Sequence, residues 1–160
     1  MLGPRVSDRL FNLRGLELPE RDDPGHAFRR RFLGEAVGAE RTGFAVYELA
    51  PGQTAWPYHY ELSEEEWLFV VDGELVLRAP GGETTLRPGD VVCFPVGPDG
   101  AHQMRNDSAA PVRFAMPSAG TEGRAYVAIR PDSNTAMIEG PGFSQVVPLD
   151  VALEYWEREP

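Results

Sequence analysis

From Phe44 onward the chain alternates short apolar runs with glycine- and proline-rich turns. The runs are Phe44–Leu49, Glu66–Val71, Glu74–Ala79, Thr84–Arg87, Val91–Phe94, His102–Arg105, Val112–Met116 and Tyr126–Ile129. Each is strand length, and most are rich in valine, phenylalanine and leucine. Between them stand Pro51-Gly52, Asp72-Gly73, Pro80-Gly81-Gly82, Pro88-Gly89-Asp90, Gly97-Pro98-Asp99-Gly100 and Asn106-Asp107-Ser108. Asp72-Gly73 between two such runs predicts a hairpin. Many short strands at this spacing predict an antiparallel sandwich or barrel, and no amphipathic helical pattern interrupts them. The expected class is all-β.

The flanks read differently. Residues 1–43 are rich in charge, glycine and proline and predict an irregular N-terminal arm, with a short helix around His26–Leu33. Residues 44–130 hold the barrel. Residues 131–160 form a tail packing on it, irregular at first. Leu149, Leu153 and Trp156 fall at helical spacing and predict a short C-terminal helix over Leu149–Arg158.

Composition narrows the function classes. A chain of 160 residues suits one domain with a real core. Net charge is −10, from 15 basic and 25 acidic residues. That argues against nucleic acid or an anionic membrane as a partner, since both call for a basic face. Arg29-Arg30-Arg31 is the only basic run. No apolar stretch reaches the ~18 residues of a membrane span. The N-terminus lacks an apolar signal-peptide core, and Cys93 is the single cysteine. Both fit a cytoplasmic protein.

The candidate chemistry lies in two segments. The first is His59-x-Glu61-x4-Glu66-x6-Gly73. The second is Gly89-x5-Pro95-x-Gly97-x4-His102-x3-Asn106. Two of the three histidines fall inside them. His59 and Glu61 are two apart, so on a strand they share a face, with Tyr58 and Tyr60 opposite. Glu66 and His102 open later runs. Two imidazoles with one or two carboxylates suit a single divalent transition metal (Fe, Mn, Ni, Co or Zn) better than Mg or Ca. Open coordination positions would admit water or a small polar ligand. Asn106 is placed to cap the turn after it. His26, Glu64 and Glu65 read as solvated charges, and so do Arg105 and Arg113.

The two segments resemble the signature motifs of the cupin superfamily. Gly52, His59, Glu66 and Gly73 match the first motif, with one extra residue before His59. Gly89, Pro95, Gly97, His102 and Asn106 match the second, with two extra before His102. The resemblance covers residues 44–116. It implies a double-stranded β-helix (jelly-roll) barrel with the metal near one mouth. His59, Glu66 and His102 would be ligands. Where the family has a second histidine, this chain has Glu61, which is then a fourth ligand or a general base. Pro57-Tyr58-His59-Tyr60-Glu61 with Glu65-Glu66-Trp67 looks most like small single-domain bacterial cupins, some described as sugar-phosphate-isomerase-like. The implied function is a metal-dependent sugar or sugar-phosphate isomerase. The alternatives are a metal-dependent dioxygenase and a non-catalytic binding protein for a small ligand. Sheet edges need cover, so a homodimer is expected.

Overall fold

A computed structural model describes residues 6–23, 26–119 and 125–151. Thirteen strands are assigned among them. β1 (Glu20–Asp23) and β2 (His26–Phe32) precede β3 (Thr42–Leu49), β4 (Tyr60–Glu61), β5 (Glu66–Asp72) and β6 (Leu75–Ala79). β7 (Gly82–Leu86), β8 (Val91–Phe94), β9 (Gln103–Arg105) and β10 (Val112–Ala119) follow. β11 (Tyr126–Arg130), β12 (Thr135–Gly140) and β13 (Phe143–Pro148) end the described fold.

A six-stranded sheet runs β1-β2-β3-β10-β5-β8. A four-stranded sheet, β13-β12-β11-β4, and a three-stranded one, β7-β6-β9, complete the jelly roll. All pairings are antiparallel. Alternation along each strand builds the core. In β5, Leu68 and Val70 are buried while Trp67 and Phe69 are exposed. They pack with Leu49, Leu75, Leu77, Phe94, Met104, Val112 and Phe114 in one cluster. A second cluster covers the outside of the large sheet. Leu18 and Leu33 join Val46 and Ala115 there, with Phe11, Leu13 and Leu16 against them.

The arm and tail are more regular than the sequence suggests. The helix expected around His26–Leu33 is instead β2, which pairs with β3. Alternation decides it: Phe28 is buried and Arg29 exposed. A single helical turn, Gly34–Val37, comes just after. The segment at residues 131–148 is a hairpin, β12 with β13, extending the sheet of β11. The expected C-terminal helix lies largely outside the described residues. No described helix is long and apolar enough to cross a membrane.

Asp72-Gly73 does not make a hairpin. β5 pairs with β8 and β10, whereas β6 pairs with β7 and β9. The turn therefore carries the chain from one sheet to another. Gly73 has φ 81°, and a Cβ there would lie 2.7 Å from the Pro111 carbonyl oxygen. Glycine is required by conformation and by space alike.

Arg113 anchors the arm. Its guanidinium donates to the carbonyls of Leu13, Arg14 and Leu16 and to Glu48. It is not a solvated charge. Arg105 is held by Glu83 and Asp107 on the surface.

Candidate metal centre

The two motif segments meet at their histidines. His59 N–H donates to the His102 carbonyl (3.2 Å), and His102 N–H donates to that of His59 (2.8 Å). Residues paired this way across an antiparallel ladder point their side chains to the same face. The two rings accordingly lie 4.7 Å apart, centroid to centroid. A further bond runs from Gly97 N–H to the Glu61 carbonyl (2.8 Å). The longer spacer before His102 is taken up by the 3-10 turn Pro98–Gly100. A Cβ on Gly100 would strike the Pro95 carbonyl.

Glu66 arrives from the other side of the sandwich. It sits at the start of β5, opposite Phe94 and Ser118. Ligand atoms of His59, Glu66 and His102 all lie within 4.8 Å of one another. Glu66 Oε2 is 3.4 Å from His102 Nε2. Glu61, buried on the same face as His59, places Oε1 3.0 Å from His59 Nε2. It lies outside the three-residue cluster. Tyr126 on β11 donates its hydroxyl to that same Oε1 at 2.8 Å.

The donor set fits a cation. His59 Nδ1 is 2.9 Å from the Pro57 carbonyl oxygen, and His102 Nδ1 is 2.9 Å from that of Gly100. A carbonyl only accepts, so both Nδ1 atoms donate. In a neutral ring each Nε2 then carries a lone pair, and each faces a carboxylate oxygen. With both carboxylates ionised, acceptors face acceptors, an arrangement that a positive ion between them would satisfy. His102 holds this neutral form firmly, since burial and the neighbouring His59 push its pKa down to about 3. Fixing a ring by Nδ1 so that Nε2 can ligate is how metal-binding histidines are oriented. The separations are compatible with metal–ligand bonds of about 2.0–2.2 Å.

The carboxylates tell the same story. Burial, then Glu61 and Glu64, raises Glu66 to about 8. Burial and Glu61 raise Glu64 to about 7. Glu64 is half-buried and lines the mouth, so it is not the solvated charge its sequence position suggests. Only Glu65 beside it is exposed. The unbonded buried side-chain atoms among the described residues are His102 Nε2, Glu61 Oε2 and Trp56 Nε1. The first two belong to the centre itself. The third is on a ring 6.2 Å from that of His59 and 6.5 Å from that of His102.

Two adjoining cavities open over this centre, of about 220 and 480 Å³. Arg30, Tyr47, Glu66, Tyr126 and Met137 line both. His59, Trp56 and Arg130 line the smaller one. Arg30, Tyr126 and Arg130 were not visible from the motifs. They belong to β2 and β11, strands outside both, and only the sheet topology brings them in. Burial pushes the Tyr47 hydroxyl up to about 12. The Tyr126 hydroxyl is raised as well, by burial and then by Glu61.

The cupin domain family matches residues 45–117, a span that includes both motifs. Residues 45–117 therefore carry a cupin domain. Among solved structures, this chain resembles a candidate sugar phosphate isomerase from Acidithiobacillus ferrooxidans. They share a TM-score of 0.82 and 21% identity, over 94% of this chain and 98% of that one. It also resembles a cupin-superfamily sugar phosphate isomerase from Silicibacter pomeroyi. There the TM-score is 0.77 and the identity 25%, over 91% of this chain and 97% of that one. The polyketide cyclase RemF of Streptomyces resistomycificus shares the fold at a TM-score of 0.58 and 21% identity, over 69% of this chain and 78% of that one. A comparison with curated proteins finds no match.

Proposed function

We propose that this cupin is a metal-dependent enzyme acting on a small polyhydroxy molecule, by isomerase-type proton transfer on a sugar or sugar phosphate. One observation carries the reading. Two histidines and a glutamate converge at the base of a cavity, with a second, tyrosine-bonded glutamate beside them. His59, Glu66 and His102 would hold a divalent transition metal. Such a metal supplies polarisation of a carbonyl or hydroxyl oxygen.

The chain's own residues supply the rest. Glu61 Oε1 is held by the Tyr126 hydroxyl, which fixes the carboxylate in place. Its Oε2 is buried and unbonded, and so is available to take a proton. Trp56 and Tyr47 wall the cavity and limit water. The names of the relatives from Acidithiobacillus ferrooxidans and Silicibacter pomeroyi point the same way.

Elemental analysis of protein purified without a metal-affinity tag tests the first half. About one equivalent of a transition metal is expected, and His59→Ala or His102→Ala abolishes it. Protein that holds no metal and takes up none would defeat the proposal. Turnover on a panel of sugars, sugar phosphates and small diketones, with and without Fe or Mn, tests the second half. Glu61→Gln distinguishes the two roles of that residue. Lost turnover with full metal content makes it a base, and lost metal makes it a ligand. Binding without turnover would make the protein a ligand-binding barrel.

The proposal includes self-pairing. β8 is an edge of the large sheet, and Val91 on it lies exposed together with Trp67 and Phe69 on the neighbouring β5. Light scattering at the mass of one chain would remove that part.

A further inference from the structure

Most arginines near a described acid are committed to it. Arg29 meets Glu48, Arg78 meets Asp132 and Arg87 meets Glu74. Arg105 meets Glu83 and Asp107, and Arg113 meets Glu48. Arg30 and Arg130 differ. Both are partly buried, and neither forms an ion pair with a described carboxylate. Both line the smaller cavity, together with His59 and Glu66.

Their placement follows from the strands. Arg29, Arg30 and Arg31 are consecutive on β2, so the middle one faces the other way. Arg29 and Arg31 are exposed, and Arg30 turns inward. Its guanidinium lies 4.3 Å from the Phe32 ring centroid and 5.7 Å from that of Phe28. Its charge also acts on the Tyr47 hydroxyl, opposing the upward push of burial there. Arg130 comes from β11 in the other sheet, and its guanidinium lies 3.2 Å from Met137 Sδ. Aromatic faces, a phenol and a thioether position these cations without neutralising them. In a chain of net charge −10, the smaller cavity sets two such cations beside the carboxylate of Glu66.

We propose that Arg30 and Arg130 are an anion-binding pair, so that the substrate carries a phosphate or a carboxylate held by them while its hydroxyl or carbonyl end faces His59, Glu66 and His102. This rests on the metal-dependent reading above and sharpens it by excluding neutral sugars as the preferred ligand. A guanidinium offers a planar fork of donors matched to either anion. A partly buried cation without an acid partner gains most when such an anion arrives.

Titration calorimetry on the full chain, as purified and after incubation with Mn or Fe, tests the pair. The probes are inorganic phosphate, glucose, glucose 6-phosphate and gluconate. The anionic sugars are expected to bind at least roughly tenfold more tightly than glucose, as charge-assisted hydrogen bonds imply. Whichever of the two binds more tightly identifies the anion. Arg30→Met and Arg130→Met each remove most of that preference and weaken phosphate binding, with metal content unchanged. Arg30→Lys and Arg130→Lys retain part of both, which separates loss of charge from loss of fold. Equal binding of glucose and the anions by the wild type overturns the proposal. So does a preference that survives in both methionine variants. Protein that loads metal but ignores anions defeats this inference alone. Protein that prefers anions but never takes metal defeats the metal-dependent reading alone.

Discussion

Two buried polar groups stand at opposite ends of one short segment, and they are treated in opposite ways. Asn106 is fully buried and fully bonded. Its amide donates to the Leu49 and Ala110 carbonyls at 2.9 and 2.8 Å. Its Oδ1 accepts from the backbone N–H and hydroxyl of Ser108. Four residues earlier, His102 is just as buried, yet its Nε2 has no hydrogen-bond partner. Burying a polar group without a partner is unfavourable by about 1–3 kcal/mol. A fold gains nothing by that at His102, whereas at Asn106 it ties three segments together. The segment therefore has a structural end and a chemical end. The difference is readable as satisfied against unsatisfied hydrogen bonding.

The largest expected effect breaks the structural end. Asn106→Ala strands the Leu49 carbonyl and removes the acceptor for Ser108. A loss of about 3 kcal/mol follows. In thermal unfolding that is a drop of roughly 6–12 °C. Metal stoichiometry of the protein that remains folded should not change. If the variant melts with the wild type, Asn106 is not the anchor its bonding indicates.

Adding metal sharpens the chemical end. A ligand that binds only the folded chain stabilises it by about 2.7 kcal/mol at a hundredfold excess over its dissociation constant. Metal-free protein titrated with Mn or Fe should show its melting temperature rise with concentration. A chelator should reverse the rise. No shift with any divalent transition metal would contradict the reading of the His59, Glu66 and His102 cluster.

Glu66→Gln compares the two ends directly. The change keeps shape and removes a charge that burial and Glu61 oppose. Metal-free stability should stay within about 0.5 kcal/mol of wild type or improve. The metal-dependent gain should vanish. Asn106→Ala loses stability with its polar group, and Glu66→Gln should not.

The sequence carried the chemical end better than the structural frame around it. His59, Glu66, His102 and Asn106 stand at fixed distances from turn residues, and the first three come within 4.8 Å of one another in the fold. The period of two placed His59 and Glu61 on one face, and both are buried there. What spacing could not show was long-range pairing. β2 reads as helix because its three consecutive arginines hide the alternation, and its pairing with β3 overrides local preference. Asp72-Gly73 has the composition of a hairpin, but β5 and β6 go to different sheets. Arg30, Arg130 and Tyr126 reach the cavity only because β2 and β11 flank it. Nothing local marks them. Glu64 looked solvated because its burial depends on Ser118 and the facing sheet, far along the chain.

The smallest expected effect lies at the junction between the two kinds of burial. Tyr126 is a satisfied donor whose partner, Glu61 Oε1, also faces His59. Tyr126→Phe removes one oxygen and leaves the ring. The fold should lose about 1 kcal/mol, the value of an ordinary hydrogen bond. Groups that orient a metal ligand or its neighbour typically change affinity or activity about tenfold or more. Which quantity moves decides the role of Glu61. If Glu61 is a ligand, metal affinity falls about tenfold with Tyr126→Phe. If Glu61 is a base, metal affinity holds and turnover falls, because the carboxylate is no longer fixed. A variant unchanged in both would mean that the bond only closes β11 onto β4. Tyr126 would then belong with Asn106 among the groups buried for the fold.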